Sequence, residues 1–275
     1  MPLKLGLIGD NIANSSAPLL HRLAGQQRGL EVRYDRLVPK EINLDFEQVF
    51  ERCKASGYRG INITYPYKER VVQLVALDDP FLQAMGAVNT VVFGDTVPRG
   101  YNTDYSGFMD AYRAARGKQP TGAVMMVGTG GVGRAVAFGL AALGVRDLRL
   151  VDCDMVKADA LGDVLRQIAP STKISVWDNA ENAAQGAAGV VNCSPVGMVG
   201  YGGTPLAPAA MSGAEWAFDA VYTPINTQFL TDASDQGVSI ISGWELFFYQ
   251  GVHAWRLFSG TDPDEHALRQ ALNSQ

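Results

Sequence analysis

An α/β protein of two units, the second built on a doubly wound parallel sheet, is the fold class this 275-residue chain predicts. Three observations predict it. Short apolar runs alternate with helical spacings along most of the chain. One run, Val124-Met125-Met126-Val127, passes straight into glycines spaced G-x-G-x-x-G and then into an apolar, small-residue segment that reads as a helix over 135–144. Gly117-Lys118-Gln119-Pro120 reads as a linker. The expected division is 1–104, with a C-terminal helix of about 245–275 packing back on it, and 105–244.

Residues 4–8 read as a first strand that opens on a turn at Gly9-Asp10-Asn11. The spacing of Leu19, Leu20, Leu23 and Ala24 predicts a helix over 18–27, with Pro18 suited to its first turn and Gly29 ending it. Residues 34–38 form a second strand, and Phe46, Val49, Phe50 and Cys53 mark a helix that Gly57 stops. A third strand, 60–64, is broken by Pro66, and 89–93 and 99–102 are expected to pair as a hairpin through Gly94-Asp95. Residues 104–116 read as a helix bridging the units. In the second unit, strands are expected at 148–151, 174–177, 189–192, 217–220 and 239–241, with helices near 157–168 and 228–236. The segment 246–258 carries more apolar surface than one domain face needs, so it is expected to return to the first unit.

A net charge of −5 argues against a nucleic-acid partner, which needs a basic footprint. Cys53, Cys153 and Cys193 are too scattered for a disulfide framework or a zinc site. His21, His253 and His266 have no metal-ligand spacing, so no metal is expected. The apolar run at residues 3–8 is too short for a signal peptide, and ~18 apolar residues never occur together, so neither export nor a membrane partner is expected and the compartment expected is the cytoplasm.

The glycine stretch has the context that its spacing requires. Gly128 permits a tight turn, Gly130 lets backbone approach a pyrophosphate, and Gly133 lets the helix pack against the strand. An anion then meets the helix N-terminus, and Gly131 and Val132 are expected among the cofactor-binding residues. Asp152 closes the next strand 19 positions after Gly133, where a ribose-binding acid belongs. Elsewhere, Asn62-Ile63-Thr64-Tyr65-Pro66-Tyr67-Lys68 and residues 100–108 place polar groups where strands turn. A lysine with a carboxylate neighbour can hold a secondary alcohol and shuttle its proton. By residue type alone, a lysine such as Lys68 is more often solvated at the surface, and an aspartate such as Asp104 more often a helix N-cap.

Residues 62–68, Gly86-Ala87-Val88-Asn89-Thr90, 100–108, 128–135 and Asn192-Cys193-Ser194-Pro195-Val196-Gly197-Met198 together resemble the shikimate/quinate dehydrogenase family, in that family's order. Asp219-Ala220-Val221-Tyr222-Thr223-Pro224 and Gln250-Gly251 extend the resemblance. It implies an N-terminal substrate domain, a Rossmann dinucleotide-binding domain and an active site in the cleft between them. It implies Lys68 and Asp104 as the catalytic pair, with Asn62, Thr64, Asn89 and Gln250 on ring hydroxyls and Tyr222 near the substrate. Ser194, Met198 and Gly243 match positions near the cofactor.

Two departures stand out. The family's carboxylate segment, Ser-x-Ser-Pro or Ser-x-Thr-Pro, is here Ser15-Ser16-Ala17-Pro18, so Ser15 supplies one hydroxyl and Ala17 lacks the other. NADP-using members carry Asn-Arg-Thr after the second nucleotide-domain strand. Here Asp152-Cys153-Asp154 offers carboxylates that accept from ribose hydroxyls and repel a 2′-phosphate, so NAD is the cofactor expected. The resemblance thus implies an NAD-dependent oxidoreductase of the shikimate pathway acting on shikimate, quinate or both, as a monomer or homodimer. A different small cyclic hydroxy acid, or a weakly catalytic sensor of dinucleotide and acid, is the alternative that Ala17 leaves open.

Overall fold

The computed structural model describes residues 2–94 and 96–274. The chain divides into two compact units, one made of Met1–Thr103 with Gln250–Gln275, the other of Asp104–Tyr249.

The first unit is a five-stranded mixed sheet. Strands β1 (Leu3–Ile8), β2 (Val32–Leu37), β3 (Gly60–Ile63), β4 (Thr90–Val92) and β5 (Arg99–Tyr101) lie in the order β2-β1-β3-β4-β5. β1 pairs in parallel with β2 and β3, whereas β3–β4 and β4–β5 are antiparallel. The expected hairpin is therefore present; Asp95, in its expected turn, lies outside the described residues. Helices α1 (Ala17–Gln27), α2 (Phe46–Ala55) and α3 (Pro80–Met85) accompany this sheet. A reciprocal box between Asp45 and Gln48 starts α2, whose Phe46, Val49, Phe50 and Cys53 pack against Ile8, Ile61 and Ile63. Leu5, Leu7 and Tyr34 form a second cluster with Ala254 and Phe258.

The second unit is a six-stranded, wholly parallel sheet. Its strands are β6 (Ala123–Val127), β7 (Asp147–Val151), β8 (Lys173–Trp177), β9 (Gly189–Asn192), β10 (Trp216–Asp219) and β11 (Ser239–Ile241), in the order β11-β10-β9-β6-β7-β8. The chain runs outward from β6 to β8, then crosses back to β9 on the other side of β6. This is the doubly wound order, and its reversal between β6 and β9 is where such sheets bind ligands. Helices α4 (Thr103–Arg116), α5 (Gly131–Ala142), α6 (Met155–Ile168), α7 (Ala180–Ala184) and α8 (Gln228–Asp235) complete it.

The division between units falls after the first residue of α4, and from Asp104 the helix belongs to the second unit, where Phe108 packs edge-on to Phe218 at 5.0 Å and Tyr112 to Trp216 at 5.1 Å. α5 starts at Gly131, four residues before the apolar run, because Gly130 already serves as its N-cap. The division between units falls inside α9 (Gly243–Ser259), and α10 (Glu265–Asn273) follows in the first unit.

Candidate active site

In the first unit, the ends of β3, β4 and β5 carry a buried polar network. Tyr34 Oη donates to Asn62 Oδ1 at 2.9 Å, and Asn62 Nδ2 donates to Thr90 Oγ1 at 3.1 Å. Asn89 Nδ2 donates to Thr103 Oγ1 at 3.0 Å, and Asn89 Oδ1 accepts the Thr103 N–H at 2.7 Å. Antiparallel register sets Asn62 opposite Thr90, and Thr90 opposite Tyr101. A buried amide left bare costs about 1–3 kcal/mol, so these bonds fix both asparagine side chains in one orientation. His21 stacks on Tyr34 with ring centroids 5.0 Å apart. Burial pushes its imidazole down to about 3, against the opposing pull of a hydrogen bond with Asn62, so the ring is neutral at physiological pH.

The other expected residues of this unit lie at different depths. Thr64 follows β3, and its N–H donates to Ile8 O at 2.9 Å. Lys68 is 9% exposed, which excludes the solvated-lysine reading, and its carbonyl accepts the Val88 N–H at 2.8 Å. Ser15 lies on the turn before α1. Its hydroxyl accepts the Ala17 N–H at 3.3 Å, and its carbonyl accepts from Arg36 Nη2 at 2.7 Å. Ser16 is the N-cap of α1 but makes no side-chain capping bond. Gln250 is half-buried on α9, one residue before Gly251, which packs on Leu20.

In the second unit, the glycine turn is built by steric necessity. Gly128 has φ +95°, and a Cβ there would stand 2.6 Å from backbone atoms of Cys193 and Ser194. A Cβ on Gly133 would stand 2.0 Å from Gly128 O, so the close approach is between helix and turn rather than helix and strand. Beside Gly130, a Cβ would find only Lys157 Nζ, at 4.0 Å. That open cradle, next to the N–H groups of Gly131 and Val132 that an α-helix leaves unpaired in its first turn, fits a dinucleotide pyrophosphate.

Asp152 Oδ2 accepts the Thr129 N–H at 2.6 Å and its hydroxyl at 2.7 Å, and Asp152 Oδ1 accepts the Asp154 N–H at 2.9 Å. Burial alone would raise this carboxyl. The Asp154 N–H and both Thr129 groups outweigh burial and hold it below the usual carboxylate range. Asp154 is the N-cap of α6 and accepts the Lys157 N–H at 3.1 Å.

A second buried network fixes the remaining segments. Ser194 donates its hydroxyl to Asn192 Oδ1 at 2.7 Å, and Asn192 Nδ2 donates to Asp219 Oδ1 at 3.0 Å. Asp219 also accepts the Val221 N–H at 2.9 Å and the Thr227 hydroxyl at 2.6 Å. Burial pushes the Asp219 carboxyl up to about 6, against these three donors. Met198 is half-buried and donates its N–H to Pro195 O at 3.0 Å, and the next residue, Val199, donates to Thr223 O. Tyr222 stacks on Phe247 at 5.2 Å. Gly243 opens α9 where a Cβ would stand 2.4 Å from Val221 O, so packing by itself requires glycine there. Asp104 is 6% exposed and lies inside the first turn of α4 rather than at its N-cap.

Sequence reasoning assigned no role to Tyr34, Thr90, Thr103, Asn192, Asp219 or Lys157. Thr90, Thr103, Asn192 and Asp219 fall in the segments that carry the resemblance, Tyr34 is a polar residue in an apolar strand and Lys157 lies on a helix, and what each bonds to follows only from the fold. Among the described residues, no group of three or more His, Cys, Asp or Glu side chains is placed to hold a metal, and no helix is long and apolar enough to cross a membrane.

Comparison with known proteins gives the same picture from outside. Residues 7–91 match the family model of the shikimate dehydrogenase substrate binding domain. The chain is 36% identical over 278 residues to a quinate/shikimate dehydrogenase (NAD(+)) of Corynebacterium efficiens, covering 98% of this chain and 97% of that protein. Quinate dehydrogenase from Corynebacterium glutamicum in complex with NAD superposes with a TM-score of 0.92 at 33% identity, over 100% of this chain and 99% of that one. Shikimate 5-dehydrogenase from Thermus thermophilus, in complex with NADP(H) and shikimate, gives 0.85 at 30% identity over 99% of each chain. With similarity of this extent running from end to end, and a buried polar cluster and a glycine-turn cradle each built into its own unit, the chain belongs to the shikimate dehydrogenase family.

Proposed function

We propose that this protein is an NAD-dependent dehydrogenase that interconverts shikimate with 3-dehydroshikimate and quinate with 3-dehydroquinate. The observation that carries this reading is the end-to-end similarity to a quinate/shikimate dehydrogenase (NAD(+)), joined to an acidic Asp152-Cys153-Asp154 segment where a 2′-phosphate would need a cation. Lys68 and Asp104 hold the reacting hydroxyl and move its proton. Asn62, Thr64, Asn89 and Gln250 bind ring hydroxyls, Ser15 binds the carboxylate, and Tyr222 orients the ring. Bound NAD supplies the hydride acceptor, held at Gly128, Gly130, Gly131, Val132 and Gly133 on its phosphates and at Asp152 and Asp154 on its ribose. Ser194, Met198 and Gly243 shape the cofactor's surroundings.

The direct test is reduction of NAD with shikimate and quinate; turnover of neither acid would end this reading. NAD should exceed NADP in kcat/KM by roughly tenfold or more, since repulsion between two carboxylates and a phosphate of even 1.4 kcal/mol gives that factor. A preference for NADP would overturn the role given to Asp152 and Asp154.

Ala17→Ser tests the carboxylate end. A restored hydroxyl donating to a carboxylate is worth about 1.5–3 kcal/mol, so KM for both acids should fall by roughly 10- to 150-fold. kcat should stay similar, because the bond is present in ground and transition states alike. An unchanged KM for both acids would mean that Ala17 does not face the carboxylate, or that Ser16 or another neighbouring group already replaces the missing hydroxyl.

A further inference from the structure

We propose that Arg36 binds the substrate's carboxylate and supplies the interaction that Ala17 lacks. This rests on the reading that the Ser15 segment meets that carboxylate.

Arg36 stands near the carboxyl end of β2, two residues after Tyr34, so both side chains leave the same face of the sheet. Tyr34 uses that face to fix Asn62. Parallel register places Arg36 beside Leu7 of β1, and Leu7 beside Asn62 of β3. Arg36 and Asn62 thus occupy one row with a single strand between them, roughly 10 Å apart at the backbone. A row of that width suits a small ring held by a carboxylate at one end and a hydroxyl at the other.

The guanidinium is also held at the right segment. Arg36 Nη2 donates to the carbonyl of Ser15 at 2.7 Å. Neighbouring carboxylates are already engaged: Asp35 with Arg33 and Tyr58, and Asp10 with Lys40 and Tyr67. Among the described residues, Arg36 itself makes no ion pair. A guanidinium has five N–H donors in a planar fork that matches a carboxylate with two parallel bonds. With one donor placing the group on the Ser15 turn, the others remain for an anionic ligand. Ala17 removes a hydroxyl from that turn, and the arginine replaces it with a charge.

The test compares wild type, Arg36→Gln and Arg36→Lys on shikimate, quinate and the uncharged methyl ester of shikimate. Arg36→Gln should raise KM for both acids about tenfold, the lower end for a charge-assisted bond at a partly exposed position. It should leave kcat, KM for NAD and KM for the ester close to wild type, and Arg36→Lys should recover part of the loss. An equal rise for acid and ester would mean that Arg36 merely props the Ser15 turn, and no rise for either acid would place the carboxylate elsewhere; each overturns the proposal. Failure of the functional reading looks different, because wild type would then reduce NAD with neither acid. Calorimetric titration with shikimate then decides: weaker binding by Arg36→Gln supports the role of Arg36, and equal or absent binding overturns it.

Discussion

Replacing Lys68 by alanine is expected to lower kcat by roughly 10²–10⁴, the usual contribution of a positioned proton-transfer group. The lysine is buried to 9% exposure, and its carbonyl is tied to the Val88 N–H, so the backbone that presents it is fixed. Burying an ammonium-bearing chain costs free energy that a surface lysine never meets, and a site of chemistry is the usual reason to retain one there. Because the change leaves the Gly128–Gly133 turn untouched, NAD affinity measured by calorimetry should remain at the wild-type value. Near-wild-type kcat in the variant would make Lys68 structural. A parallel loss of NAD affinity would indicate a general defect rather than a missing proton carrier.

The second large effect is expected from Gly133→Ala. The added Cβ would lie 2.0 Å from Gly128 O and 2.8 Å from Gly128 C, both backbone atoms that no rotamer change can move aside. Either α5 lifts from the turn or the turn opens. Overpacking of this kind costs about 1–3 kcal/mol of stability, and displacement of the helix N-terminus should weaken NAD binding by about 100-fold. Denaturant midpoints and NAD titration check both quantities. Gly130→Ala is the paired control: its Cβ would meet only the mobile end of Lys157, so stability should hold while cofactor affinity falls. Unchanged midpoint and affinity in Gly133→Ala would refute the packing role of this glycine.

The polar clusters illustrate why only part of the site was legible beforehand. The turn between β6 and α5 is a local object: strand, glycines and helix are contiguous, and each glycine's duty follows from its offset. The same holds for β9 and β11, whose bounds match the expected 189–192 and 239–241, because short apolar runs between glycines and polar residues fix strand ends. Short helices α3 and α7 went unread, and α10 was expected only as part of one C-terminal helix over about 245–275, which the structure divides after Ser259. Their apolar periodicity is brief, and they depend on the caps Asp79, Asn179 and Asp264, which resemble ordinary loop residues in a sequence.

By itself, then, the sequence determined the alternation of strands and helices, the doubly wound second unit, the glycine turn and the acidic segment that follows β7. These rest on hydrophobic period, steric freedom and charge, which act over a few neighbouring residues. Only the tertiary structure decided that Tyr34 and Thr90 clamp Asn62, that Asp219 anchors the Ser194 and Val221 segments, and that Arg36 shares a row with Asn62. Those relations come from strand order and register, set by burial of whole sheet faces between segments far apart in the chain, and such long-range pairing leaves no mark on the spacing of residues along it.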